Sequence, residues 1–317
     1  MAYSSGGLIA ASDYNNFVGT ATAAGTLNYV WSTGNGNYGY GQTAVSQSAA
    51  TAGTITATQW ATLINTLNSV RTHQSGSGTG ISAPTSGSLI SYLSTLSSSI
   101  TTVNTNRLNA ATQGTTVTGS VITAPAITAT NNTTYGPTIF ATRTVTFASA
   151  DAARYFFNAG GQLNFVITGV TNNDATARST DAVNVINTYF KGINAFKAAS
   201  NGQATGTGGT QTGSYTSGYY GLTTSPQLIS QITTASSTYS GDYVALNVYS
   251  NGTQGSNGDK GTVITFTLTY YSAHTSTTSG LYGSSGDTLN VSASMRIDVV
   301  PPETTNLSNT WGTVTIA

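Results

Sequence analysis

The chain has 317 residues, enough for roughly two domains of about 150 residues that each bury a core. Only 6% of its residues are Asp, Glu, Lys or Arg, against about 25% in ordinary globular domains, and the net charge is zero. So few basic residues exclude the electrostatic attraction on which nucleic-acid binding depends, whereas a neutral surface favours self-association. The absence of cysteine excludes disulfides, thiolate nucleophiles and zinc–cysteine sites.

The amino-terminal segment lacks the features of an export signal. The first basic residue is Arg71, so the charged region that opens a secretory signal is missing. No apolar run reaches the length of about 18 residues that a membrane span requires, and we expect no membrane insertion. Two explanations of the missing export signal remain: the protein is made in the cytosol and released by lysis, or the sequence is a mature fragment without its signal.

The first third of the chain predicts helices. Ser12 is a suitable N-cap for the first helix, although Gly19 and Gly25 weaken it. The predicted apolar face of this helix consists of Tyr14, Phe17, Val18, Leu27, Val30 and Trp31.

Two further helices are predicted before residue 105. Thr-Ala-Thr-Gln at residues 56–59 is a capping box, after which apolar residues recur at helical spacing from Trp60 until residues 73–76 end the helix. A third amphipathic run extends from Leu89 to Val103. Because its other face is Ser and Thr, this helix needs packing partners, either the earlier helices or other copies of the chain.

Beyond Gln113 the hydrophobic period changes to two, which predicts strands within residues 115–130. Residues 143–147 and 162–167 predict two strands around a tight turn at 158–161. A helix capped by Thr180 and Asp181 and running to Phe196 interrupts the strands. Residues 200–221 predict an exposed loop rich in Gly, Ser and Tyr.

The last third predicts strands at residues 242–249, 262–271 and 287–299, with a closing strand within 310–316. The sequence therefore predicts an α+β protein of two domains. A helical docking and assembly domain covers residues 1–114, and an antiparallel β-sandwich-like domain that carries one helix covers residues 115–317.

Motifs that could support catalysis or cofactor binding are weak. Residues 34–39 match a dinucleotide fingerprint, but no strand precedes them and no acidic residue follows before Asp151, so we interpret them as a glycine-rich turn. A catalytic triad would need His73 or His274, which are more simply a helix end and a loop residue. We expect no cofactor.

Acidic residues are too few for most hydrolytic mechanisms. A glycosidase needs two carboxylates across a cleft, and the sole glutamate is Glu303. Residues 257–259 are only a fragment of a calcium loop, so we expect no metal site. The remaining candidate carboxylates, each of which also suits a strand end or a turn, are Asp242, Asp259, Asp287 and Asp298. We therefore expect no enzymatic activity.

Tyrosine is the most frequent aromatic residue, with 18 copies against nine Phe. Amphipathic Tyr side chains among Gly, Ser and Asn are typical of adaptable binding loops, and sugar rings stack on them. The sequence favours subunit contacts for these residues and leaves glycan binding as the alternative. The candidates are Tyr38, Tyr40, Tyr215, Tyr219 and Tyr220.

Several motifs, taken in order, resemble a known family. They are residues 9–15, 38–42, 55–60 with Trp60, 73–74, 153–161 with Arg154, Phe156, Phe157 and Asn158, and 311–312. This order resembles the virion structural proteins of marine and freshwater tailed bacteriophages, notably cyanophages. The similarity is spread over most of the chain.

The resemblance implies a particle component of the tail, baseplate or fibre, made in the host cytoplasm and released by lysis, with no catalytic residues. Its expected partners are other copies of the chain, with a trimer as one option, and other virion proteins. A host-receptor adhesin that binds surface glycan and an exported bacterial surface or filament protein remain alternatives.

Overall fold

The computed structural model describes residues 11–48, 55–88, 90–129, 135–212, 218–254, 259–273 and 288–317. Helices and antiparallel strands both occur, and two six-stranded sheets pack together. The protein is therefore an α+β fold with a β-sandwich-like region, as the sequence predicts. No described helix combines the length and hydropathy that a membrane crossing requires.

The first predicted helix is two helices, α1 (Ala11–Val18) and α2 (Leu27–Trp31). The prediction of one continuous helix was wrong. Gly19 and Gly25 adopt left-handed φ angles of 62° and 79°, and these angles interrupt the helix between Val18 and Leu27. The predicted apolar face is nevertheless buried, except that Trp31 is only half-buried.

The helix α3 (Ala57–Ser75) has the predicted boundaries. Thr56 Oγ1 accepts the Gln59 amide at 3.2 Å, and Gln59 Oε1 accepts the Thr56 amide at 2.9 Å, so the capping box is confirmed. At the other end Gly76 adopts the left-handed conformation with φ 77°. The helix α4 (Leu93–Thr105) begins one turn later than predicted and packs against α2 and α3.

One sheet contains six antiparallel strands with β11 and β4 at its centre. Pairing follows the order β1-β11-β4-β5-β6, and β2 also pairs with β11. The strands are β1 (Ile122–Thr123), β2 (Ile127–Ala129), β4 (Gln162–Asn172), β5 (Gly192–Phe196), β6 (Asn201–Ala204) and β11 (Leu289–Val300). The predicted strand region 115–130 thus contributes only two short strands.

The second sheet has the order β12-β3-β10-β9-β8-β7. Its strands are β3 (Tyr135–Thr146), β7 (Thr210–Thr212), β8 (Gln227–Thr233), β9 (Tyr243–Ser250), β10 (Val263–Ser272) and β12 (Thr315–Ile316). The strands predicted near residues 242, 262 and 287 correspond to β9, β10 and β11, whereas β5 to β8 were not predicted.

The predicted hairpin around residues 158–161 does not form. A helix, α5 (Ala150–Asn158), separates β3 from β4, and these two strands lie in different sheets. Ser149 Oγ caps the helix by accepting the Ala152 amide at 3.0 Å. The residue pair Phe156–Phe157 therefore lies in a helix, and the glycines at 160 and 161 follow its end.

The helix predicted to reach Phe196 also ends early. The helix α6 (Ala177–Val183), capped by Thr176, continues as a π-helix over Asn184–Phe190. Gly192 then adopts φ 116°, and a side chain there would collide with the carbonyl of Phe165 on the neighbouring strand. The following residues, including Phe196, form β5 instead.

Aromatic side chains join the two sheets. Phe266 of β10 stacks on Phe165 of β4, with ring centroids 6.1 Å apart, and lies edge-on to Phe196 of β5 at 5.7 Å. Buried side chains of the helical part and of both sheets belong to one hydrophobic cluster. The domain boundary after residue 114 stays a prediction.

The capping box predicts a specific stability effect. Thr56→Ala should lower the free energy of unfolding by about 1 kcal/mol because the Gln59 amide at the start of α3 loses its acceptor, the Thr56 hydroxyl. Thr58→Ala, in the same turn and exposed, is the matched control and should leave stability unchanged or slightly raised. Urea denaturation measures both, and equal effects of the two substitutions would refute this role of Thr56.

Candidate functional site

Most of the candidate residues meet at one place, which we call the junction. It consists of the glycine-rich turn at residues 34–41, the face of α5 that carries Arg154 and Asn158, and the pair Tyr219–Tyr220. The turn follows the helix α2 and not a strand, unlike a dinucleotide-binding loop. Four of its glycines have left-handed φ angles, and a side chain at Gly39 would collide with the Thr33 carbonyl.

Two side chains of α5 bind the backbone of the turn. Arg154 Nη1 donates to the Tyr38 carbonyl at 2.8 Å. Asn158 Nδ2 lies 3.2, 3.0 and 3.0 Å from the carbonyl oxygens of Gly36, Tyr38 and Gly39. Because Arg154 and Asn158 are four residues apart, they share one face of α5. Both are buried, so the carbonyl groups of the turn are satisfied by this face.

The pair Tyr219–Tyr220 completes the junction. Tyr220 Oη lies 2.6 Å from Asn158 Oδ1 and 2.9 Å from the Gly36 carbonyl oxygen, and its single proton can serve one of them at a time. The Tyr219 ring stacks on Phe157 with a centroid distance of 4.3 Å. Burial raises the pKa of both phenols well above the ordinary value, so both remain protonated.

Tyr40 and Tyr38 connect the turn to the helical part. Tyr40 Oη donates to the Arg107 carbonyl at 2.8 Å and accepts from Gln74 Nε2 at 2.9 Å. The Arg107 guanidinium carbon lies 4.2 Å from the centroid of the Tyr38 ring. Tyr29 stacks on that ring, also at 4.2 Å.

Most residues between 203 and 212 are exposed, as predicted for the loop at residues 200–221, but the segment is not a loop throughout and its described tyrosines are not exposed. Residues 201–204 and 210–212 form strands, Tyr219 is fully buried and Tyr220 is half-buried. Tyr40 is buried too and Tyr38 is half-buried, whereas Tyr215 lies outside the described residues. Packing occupies the rings of the described tyrosines, and hydrogen bonds occupy the hydroxyl groups of Tyr40 and Tyr220, whereas the buried Tyr219 hydroxyl has no hydrogen-bond partner among the described residues.

The other motif residues are also internal. Trp60 is buried, with its ring centroid 5.5 Å from that of Tyr14. Phe156 and Phe157 are fully buried and pack edge to face at 5.1 Å. These contacts identify Trp60, Phe156 and Phe157 as part of the core.

His73 and Glu303 form a buried pair that the sequence did not predict. His73 Nδ1 lies 2.9 Å from Glu303 Oε1, and both residues are buried. Glu303 also accepts the backbone amides of Thr305 and Asn306. The pair ties the end of α3 to the carboxy-terminal segment, 230 residues away.

The two partners have shifted pKa values. Burial lowers the pKa of His73 below 6.5, although Glu303 acts in the opposite direction. Burial would raise the pKa of Glu303, but hydrogen bonds from His73, Asn306 and Thr305 outweigh it and hold the pKa below 4.5. His73 is therefore neutral near pH 7. Among the described residues, no serine is hydrogen-bonded to His73, so the pair is not part of a catalytic triad there.

The other candidate carboxylates are dispersed. Asp242 accepts from Ser272 Oγ at 2.7 Å, and Asp298 binds Arg296 at 2.8 Å, on different sheets. Asp259 is described, whereas residues 257–258, His274 and Asp287 lie outside the described part. Within the described residues, no group of three or more His, Asp or Glu is placed to hold a metal ion.

Comparison with protein-family models, curated proteins and solved structures finds no match for this chain. The resemblance to tailed-phage virion proteins therefore rests on the sequence motifs alone.

The junction predicts a large effect of an isosteric substitution. Asn158→Asp should lower the free energy of unfolding by about 3 kcal/mol, because an oxygen would replace the amide group that faces three carbonyl oxygens. The matched control Asn187→Asp, at an exposed position, should change stability by less than about 0.5 kcal/mol. Urea denaturation distinguishes the two, and a stable Asn158→Asp protein would contradict the assigned role.

The buried His73 predicts a pH dependence. Since its pKa is lower in the folded than in the unfolded state, the unfolded state binds the proton first, and stability should fall as the pH drops below about 6.5. His73→Gln should reduce this fall between pH 7.5 and 5.5. Glu303 acts in a lower window, because its stabilising charge is lost only as the pH falls below about 4.5. Denaturation curves at each pH measure the slopes, and identical slopes for wild type and variant would exclude His73 as the cause.

Proposed function

We propose that the protein is a non-catalytic structural component of a tailed-phage virion, in the tail, baseplate or fibre, and that it acts by assembling with copies of itself and with other virion proteins. The motifs that resemble virion proteins provide the first support. Tyr38, Tyr40, Arg154 and Asn158 belong to these motifs, and all four hold the junction together. Such residues serve architecture rather than the turnover of a substrate.

The distribution of charge is the observation that carries the proposal. Among the seventeen charged residues in the described part, seven are buried: Arg143, Arg154, Arg178, Asp181, Asp242, Asp298 and Glu303. Only three, Lys191, Lys197 and Lys260, are well exposed. The fraction of charged residues is therefore even lower among the exposed residues than in the chain as a whole.

The buried charged side chains form hydrogen bonds that connect different segments of the chain. Asp242 binds Ser272 and the Ala273 amide, both at 2.7 Å. Arg143 Nη2 donates to the Ser120 carbonyl at 2.9 Å, and Asp181 accepts from Thr234 at 2.7 Å. Because these partners come from distant parts of the chain, the ionic groups stabilise the subunit and leave its outer surface to Ser, Thr, Asn and Gly.

Such a surface suits protein–protein contact. The centres of protein interfaces are depleted of charged residues, since the desolvation of ions opposes association. A neutral surface also lacks the repulsion that keeps proteins monomeric. Two large apolar side chains, Val117 and Val121, are more than half exposed beside β11, at 55% and 53%. They are our candidates for the centre of a subunit contact.

The proposal predicts self-association that salt does not disrupt. Sedimentation velocity should show species larger than the monomer, with the same distribution in 50 mM and 1 M NaCl, because ion pairs contribute little to the contacts. Val117→Lys should shift the distribution towards the monomer, whereas Thr118→Lys, on the opposite face of the same exposed segment, should not.

The location in the particle needs a separate measurement. Mass spectrometry of purified virions should detect the chain as a stoichiometric component. A protein that is monomeric at all concentrations and absent from particles would contradict the proposal.

A further inference from the structure

The segment that leads into β1 is exposed along most of its length. It runs antiparallel to β11 at the outer edge of that sheet, and residues 115–118, 120 and 121 are all exposed. Its two valines, Val117 and Val121, are 55% and 53% exposed. An uncharged apolar edge of a sheet is a surface on which another chain can dock, so this segment is a candidate contact site.

Contacts with β11 hold the backbone of the segment in place. Val117 exchanges two backbone hydrogen bonds with Val299, at 2.7 and 2.9 Å. The Gly119 amide donates to Asp298 Oδ1 at 3.2 Å. A side chain at Gly119 would lie 2.0 Å from the carbonyl oxygen of Ile297, so only glycine permits this close approach. Because the backbone is already fixed, the valines can enter a contact with little further loss of conformational entropy.

The sequence of the segment is self-complementary about Gly119. The residues at equal distances from this glycine form the pairs Thr118 and Ser120, Val117 and Val121, Thr116 and Ile122, and Thr115 and Thr123. In an antiparallel contact of two copies centred on Gly119, the members of each pair face each other, so valine meets valine and hydroxyl meets hydroxyl. Residues 115–123 include no charged residue, so the contact brings no like charges together.

The distribution of exposed apolar side chains indicates which surface of a second copy the valines contact. A contact between two different patches would need a further exposed apolar group against which the valines could pack. In the part of the chain that the structure describes, Val117 and Val121 are the only large hydrophobic residues that are exposed. The matching surface on a second copy is therefore the same pair of valines, and a contact between identical patches has two-fold symmetry.

We propose that residues 115–123 contact the same residues of a second copy in antiparallel orientation, across a two-fold axis at Gly119, with Val117 of each copy against Val121 of the other. This inference rests on the proposed self-assembly. It adds the partner surface, the register and the symmetry of one subunit contact.

Cysteine cross-linking tests the register, because the chain has no cysteine of its own. The full chain with Val117→Cys is produced in the same cells as an affinity-tagged full chain with Val121→Cys. The two cysteines lie opposite each other in the proposed contact, so oxidation should link one tagged to one untagged chain on a non-reducing gel. The two copies of residue 117 would be roughly 13 Å apart, four residues along the strand, so Val117→Cys alone should not form this link.

Ser94→Cys, at an exposed position of α4, is the matched control and measures the disulfides that arise from random collisions. Thermal unfolding verifies that each variant is folded. Efficient cross-linking of Val117→Cys with itself would indicate a parallel contact and would overturn the proposal. Larger species without a cross-link above the control would also overturn it but would leave the proposed self-assembly intact, whereas a monomer at all concentrations would contradict both.

Discussion

The structure depends on the binding of one glycine-rich turn by one face of a helix. Arg154 and Asn158 of α5 donate hydrogen bonds to carbonyl groups of residues 36–39, which lie outside the strands and helices. Tyr220 closes the arrangement from the β-rich part, and Tyr40 extends it to α3 and α4. Since these contacts join segments from the beginning and the middle of the chain, the helical part and the sheets share one set of buried polar contacts.

The charged residues likewise join distant segments of the chain. The chain has few charged residues, and the structure uses many of them inside, where each one joins segments that are far apart in sequence. His73 and Glu303 show this most clearly, because they connect α3 to the carboxy-terminal segment. The consequence is a surface of small, neutral, polar residues. Such a surface can be buried in subunit contacts without the desolvation of ions.

Local sequence patterns were sufficient to predict much of the fold. The capping box of Thr56 and the alternation in β9, β10 and β11 could be predicted because they depend on neighbouring residues. The helix α5 was missed because Gly160–Gly161, which follow its end, resemble the centre of a hairpin. Residues 193 and 196 fit helical spacing, but the approach of Gly192 to β4 makes them a strand. The motifs drew attention to Arg154 and Asn158, yet their targets in the turn are backbone carbonyls, which carry no sequence signal.

We propose that the neutral surface forms the subunit contacts, while the charged and aromatic motif residues hold each subunit together. A cryo-electron microscopy reconstruction of the assembled protein tests it directly. We expect contacts formed by Ser, Thr, Asn, Gly and the exposed valines, with Arg154, Asn158 and Tyr220 bonded within every subunit as described. A reconstruction in which these three residues leave the turn and bind a neighbouring subunit would contradict it.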